Sequence, residues 1–340
     1  MVKAKKKKKR VKKKVSQDMF VSGGLNLFMI GGVIAVFYQA LYFLITAEPS
    51  AEEVSYALFW KIFEELGMLS LFFGLILVCY SFLKEVEFFK KYAGSFLISG
   101  ALLSLAAAFY AVYSHISGLT EQTITLRSFV VATFPQLMNN VSRVYLYLGI
   151  LFLGIFLWGY REKRKWSAGF LVGGVLLACI ALVMTVYTTY ENYTFFIGMY
   201  GDAGKDYIIS QVLFPDLLRS ISLLLVLIGV LFFAASYLWT FRVRKWAGRM
   251  WLSGGAAGAF YGFIRLGIDS QMIRNEITSV RQSILNLTPY TTSLKDQVLT
   301  VETLREFYVK KVVPLYFEHS LWVIFLTGIA FIGLYLWMRE

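Results

Sequence analysis

The residues of this chain that could do chemistry are few, and most stand where a long apolar run meets a polar segment. Its two histidines are His115 and His319. Two imidazoles at matched depth could ligate a haem axially, or share a metal with Glu64 or Glu318. Two ligands are a minimum for that chemistry and no further ligand spacing accompanies them, so no cofactor is expected. Cys79 and Cys179 fall inside apolar runs, where a thiol behaves as a small apolar residue and no disulfide is expected. No HExxH, GxSxG or phosphate-cradling glycine loop occurs. The chain does not read as an enzyme.

A polar layer emerges from an internal register. Trp60, Pro135, Pro215 and Pro314 each stand fourteen residues before a glycine, namely Gly74, Gly149, Gly229 and Gly328. Tyr92, Trp166 and Trp246 precede Gly100, Gly174 and Gly254 by eight, and Gly23 with Gly31 gives a degenerate version. Two registers in alternating apolar runs favour a real repeat. Four and five residues after the first anchor come Glu64 and Glu65, Asn139 and Asn140, Arg219 and Ser220, and Glu318 and His319. These positions are expected at one depth near the outer membrane interface, where acids of the first and fourth repeats could face Arg219, Arg143 or Arg265. Ionisable groups at that depth suggest a ligand or ion site. They also suit first helical turns, where acids complement the helix dipole, and capping with structural pairing is the favoured reading.

The elements that must position these residues are membrane spans. Hydrophobic residues make up 58% of the chain and charged ones 16%, with mean hydropathy +0.61. A soluble domain carries roughly 25% charged residues. Eight runs approach the ~20 apolar residues that cross a bilayer core. They lie near Phe20 to Ile45, Leu66 to Leu83, Ala93 to Tyr113, Val141 to Trp158, Trp166 to Tyr187, Leu217 to Trp239, Trp246 to Ile268 and Leu321 to Trp337. The fold expected is an all-α polytopic membrane protein of eight transmembrane helices in four tandem hairpins, over 19–91, 92–163, 164–243 and 244–340. Gly74, Gly149, Gly229 and Gly328, with the stripe Gly254, Gly258 and Gly262, are expected at close helix contacts; Gly169 with Gly173 repeats the small-residue spacing.

Charge orients the chain. The N-terminal tail, the loops at 84–91, 161–165 and 242–249 and the C-terminus hold 22 Lys and Arg against 5 Asp and Glu, and the opposite side holds 12 against 16. Basic loops stay in the cytoplasm, so both termini are expected there, in an integral membrane protein of the plasma membrane. Residues 1–18 form a polybasic tail expected to be disordered and to meet anionic lipid headgroups; nucleic acid is the disfavoured partner. The fourth outer connection is the longest. Ile273, Ile277, Val280, Ile284 and Leu287 keep a helical period, "TPY" at Thr288 to Tyr290 breaks it, and Leu294, Val298, Val301 and Leu304 resume it. This predicts an extracytoplasmic helical hairpin over 270–313, packed on itself or on a partner. The sequons at Asn192 and Asn286 fall on the same outer side and could carry sugar in a cell that N-glycosylates. The functional expectation is a non-catalytic subunit or scaffold, with a protein partner or a second copy. The alternative is a channel or transporter for an ion, solute or lipid.

Overall fold

The computed structural model describes residues 19–38, 54–84, 86–120, 129–236, 242–287 and 312–339. These are helical almost throughout, and no strand occurs among them. In chain order the helices are α1 (Met19–Tyr38), α2 (Val54–Lys84), α3 (Glu87–Thr120), α4 (Phe134–Leu157), α5 (Lys163–Ile208), α6 (Phe214–Ala235), α7 (Arg242–Leu287) and α8 (Val313–Arg339). Seven of them are long and apolar enough to cross a membrane. The helix outside that group is α7, which spends its interior on Gly254, Gly255, Gly258 and Gly262, all buried, rather than on large apolar side chains. The polybasic tail and the resumed period at Leu294 to Leu304 lie outside the described residues.

Two helices run on well past the apolar runs that hydropathy marks. The segment expected to open the outer hairpin is the uninterrupted continuation of α7 through Leu287, and α5 likewise runs on to Ile208. Pro135 and Pro215 occupy the first turns of α4 and α6, as their missing N–H groups favour. Neither proline begins its helix from an extended chain. Each follows a single π-turn, Phe129–Thr133 or Ile209–Leu213, whose wider winding accommodates a ring that would clash inside a regular helix. The chain reverses direction between α5 and α6, because the Tyr193 hydroxyl reaches Asp216 across 23 residues.

Each helix packs on its neighbours in sequence from α2 to α8. α1 lies between α8 and α2: Phe20 meets Phe331 at 6.0 Å, Phe28 meets Phe325 at 5.6 Å, and Gly32 faces Ile76. The even-numbered helices also touch one another, through Met68 and Tyr147 (α2 and α4), Phe72 and Phe325 (α2 and α8), and Arg219 and Trp322 (α6 and α8). They form an inner group, with the odd-numbered helices outside.

Close approach depends on absent side chains. A Cβ at Gly94 would lie 2.8 Å from the Gly154 carbonyl oxygen, and one at Gly154 2.9 Å from that of Gly94. Gly248 and Gly333 are related in the same reciprocal way. Hydrogen bonds run beside such contacts, from Ser167 Oγ to the Gly149 carbonyl and from Ser222 Oγ to the Gly254 carbonyl, both 2.8 Å. Such bonds are useful cement where water gives helices no reason to associate.

Candidate functional site

At one end of the helix group, the end holding Glu64, Asp216 and Asp269, several ionisable side chains are engaged across helix boundaries. Glu64 on α2 accepts from Arg143 on α4 at 3.3 Å, with both side chains about half exposed. Asp216, in the first turn of α6, is a junction: it accepts from the Tyr193 hydroxyl of α5 at 3.1 Å and from Arg265 of α7 at 3.4 Å. Burial, with the Asp216 charge beside it, pushes the Tyr193 hydroxyl up to about 12. Asp269 of α7 meets Nε2 of His319 on α8 at 2.5 Å, and this pair is the most enclosed, at 13% and 7% side-chain exposure. The other nitrogen of His319, Nδ1, is buried without a hydrogen-bond partner among the described residues.

Some sequence-level expectations change. Arg265 stands one turn from Asp269, yet its ion-pair partner is Asp216, while Asp269 turns to His319. Arg219 faces no acid of the first or fourth repeat among the described residues; its guanidinium lies over the Trp322 ring, 5.1 Å from the centroid. Glu65 has a buried carboxylate oxygen with no hydrogen-bond partner among the described residues. The two imidazoles are held on different neighbours, His319 on Asp269 and His115 on the Thr133 carbonyl at 3.2 Å. Asp216, Tyr193, Asp269 and Trp322 complete the layer. They are missed at the sequence level because the partners come from different helices, and Asp216 reads there only as a first-turn acid.

The glycine positions are occupied by close neighbours. Gly74 faces Leu97, Gly149 faces Leu171, Gly229 faces the Trp251 indole and Gly328 faces Gly24, Leu27 and Phe28. Gly254 packs on Leu225 and Val226, Gly258 on Ser222 and Leu326, and Gly262 on Val323. Gly173 touches Tyr145, but Gly169 has open space where a Cβ would stand, so that stripe does not extend to it.

Two cavities open within the polar layer. One of about 600 Å³ lies among α2, α3 and α4, where Trp60 stacks on Tyr110 at 4.8 Å above Glu64, His115 and Asn140. The other, about 590 Å³, separates α4 and α6 against α5. Arg219, Asn139 and Gln136 line its polar end, and Leu182, Leu223 and Leu227 continue it along the helices. Both fall in the size range of ligand sites, ~300–1,000 Å³. The chain matches no protein-family model, no curated protein and no solved structure.

Proposed function

We propose that this protein is a non-catalytic subunit or scaffold of a membrane assembly, presenting its outer helical extension to a protein partner. The observation that carries this reading is the continuation of α7 past residue 268 to Leu287 as one helix, roughly 28 Å at ~1.5 Å per residue. Met272 on this extension is 55% exposed, and Gln271, Arg274, Asn275 and Glu276 are exposed beside it. The ion pairs beneath support a static outer layer: Asp216 with Arg265 and Asp269 with His319 tie α6, α7 and α8 together at the base of the extension. Photo-crosslinking from position 272, followed by purification in mild detergent, tests the reading. One stoichiometric adduct is expected; a chain that purifies alone with no adduct refutes it.

In this reading α7 is an eighth span, both termini are cytoplasmic, and the membrane is the plasma membrane. Trp246, Phe260 and Phe263, all more than half exposed, then face lipid from α7. The spans form four related hairpins, α1 with α2, α3 with α4, α5 with α6, and α7 with α8, which meet one another where α2 packs on α3, α4 on α5, α6 on α7 and α8 on α1. Support comes from equivalent contacts: Gly74, Gly149, Gly229 and Gly328 meet Leu97, Leu171, Trp251 and Phe28, each three residues before the partner helix's glycine. In reverse, Gly100, Gly174, Gly254 and Gly31 meet Leu71, Leu146, Val226 and Phe325. The rival reading, a transporter or channel, is favoured by one observation, the cavity at Arg219. Reconstituted flux that disappears in Glu64, Glu65 or Glu318 variants, with folding intact, would establish the rival.

A further inference from the structure

We infer that the cavity among α4, α5 and α6 is a binding site for a single anionic phospholipid, with its phosphate on Arg219 and an acyl chain running inward between α5 and α6. Three observations carry this, and the first is charge. Arg143 and Arg265 have carboxylate partners at 3.3 and 3.4 Å, whereas no carboxylate among the described residues lies within ion-pair distance of Arg219. Its one defined neighbour is the Trp322 ring, which holds the guanidinium by its face and leaves the N–H edge available. A planar guanidinium with free N–H groups suits the paired oxygens of a phosphodiester.

The second observation is the neighbourhood of that charge. Among the described residues no acid lines the cavity, and the other polar groups at its Arg219 end are the amides of Gln136 and Asn139 and the hydroxyls of Thr185 and Thr188. The two hydroxyls donate back to their own helix, to the Ala181 and Met184 carbonyls, which leaves the amides to meet a headgroup beside Arg219.

The third is shape. From Arg219 to Leu227 the cavity wall follows α6 for about 12 Å towards the membrane interior. Along that length it presents Ala178, Ala181, Leu182, Leu223 and Leu227. A small inorganic anion would use only the mouth of such a slot. An amphiphile fills it, with its charge at the outer end of the α6 span, where lipid phosphates lie, and its hydrocarbon along the direction of the surrounding chains.

The test uses the full-length protein in bilayer discs of equal phosphatidylcholine and phosphatidylglycerol, released gently and weighed by native mass spectrometry. One retained phosphatidylglycerol per chain is expected, at a preference of about tenfold or more, as a charge-assisted contact confers. Arg219→Gln should remove the preference and Arg219→Lys should keep part of it. Arg143→Gln, at a guanidinium that pairs with Glu64 and does not line the cavity, should leave it unchanged. Ala178→Phe retains the charge but fills the slot, and should also abolish retention. A preference that survives both Arg219→Gln and Ala178→Phe overturns the proposal. So does loss in Arg219→Gln alone, which would leave a headgroup contact without a chain site. Displacement of the lipid by millimolar inorganic phosphate would assign the site to the free anion instead, and likewise overturns it.

Discussion

Asp269 and Glu64 are both acids paired with a base on a neighbouring inner helix, yet they should contribute very differently to stability. The Glu64 and Arg143 side chains are 45% and 44% exposed, so the gain from pairing is screened and offset by ordering two flexible side chains. Glu64→Gln should lower unfolding stability by less than about 1 kcal/mol. Asp269 and His319 are almost enclosed, and Nδ1 of His319 is already without a partner among the described residues. Asp269→Ala strands the second ring nitrogen as well, at a cost of about 1–3 kcal/mol. Denaturant unfolding in detergent compares the two, and equal losses would contradict this ranking. Tyr193 adds a pH-dependent case. Its hydroxyl is held at about 12, above the ~10 of a free tyrosine, so the folded state keeps the proton longer than the unfolded chain does. The stability linked to Tyr193 is therefore complete below pH ~10 and declines as pH rises from ~10 towards 12. The Tm difference between wild type and Tyr193→Phe should shift against wild type across that window and be flat below it.

Helices here are specified by apolar length, and their contacts by where large side chains are missing. A Cβ added at Gly94 or Gly248 would meet a facing carbonyl oxygen at 2.8 Å, which cannot swing aside as a side chain can. Gly94→Ala and Gly248→Ala should each cost about 1–3 kcal/mol through overpacking. Gly169→Ala, with nothing within 4 Å, should change stability little or raise it slightly. Thermal unfolding of the three variants checks this, and a Gly169 variant as damaged as the others would break the argument. The spacing of Gly74, Gly149 and Gly229 from their anchors was legible in the sequence, because every helix of that kind needs a gap at the same level. Which neighbour fills the gap was not, since a one-dimensional register carries no partner. The same limit hid the pairing of Asp269 with His319, fifty residues apart. Eight apolar runs were legible in the sequence, and seven of the corresponding helices are long and apolar enough to cross a membrane; α7 falls short because its faces towards α6 and α8 carry glycine in place of large apolar residues.

At the scale of the whole molecule, the feature that sequence order conceals is the meeting of its two ends. α8 and α1 are the last and first described helices, yet Gly24 and Gly328 approach as the interior glycines do, with Cβ positions 3.0 and 3.2 Å from the opposing carbonyl oxygens. Phe20 and Phe331 lie at 6.0 Å beside them. α8 and α1 therefore pack as a pair that happens to lack a covalent connection. The turn at 158–162 between α4 and α5 has the converse character: a connection whose residues are exposed, reversed by Gly159 at φ +122°. A circular permutant follows from these two facts. It begins at Tyr160, runs to Glu340, continues directly into Lys12 and ends at Gly159. The seven residues 12–18 can span up to about 25 Å, enough if the Arg339 and Met19 ends of α8 and α1 are neighbours and too little for opposite sides of an eight-helix group. New termini at an exposed turn remove no buried contact, and the segments on either side keep their direction across the membrane. The permutant should insert, purify as a single species and unfold within a few degrees of wild type. A version joined through the complete tail controls for the permutation itself. If that control folds while the Lys12 junction aggregates, α8 and α1 do not close the group at their Arg339 and Met19 ends.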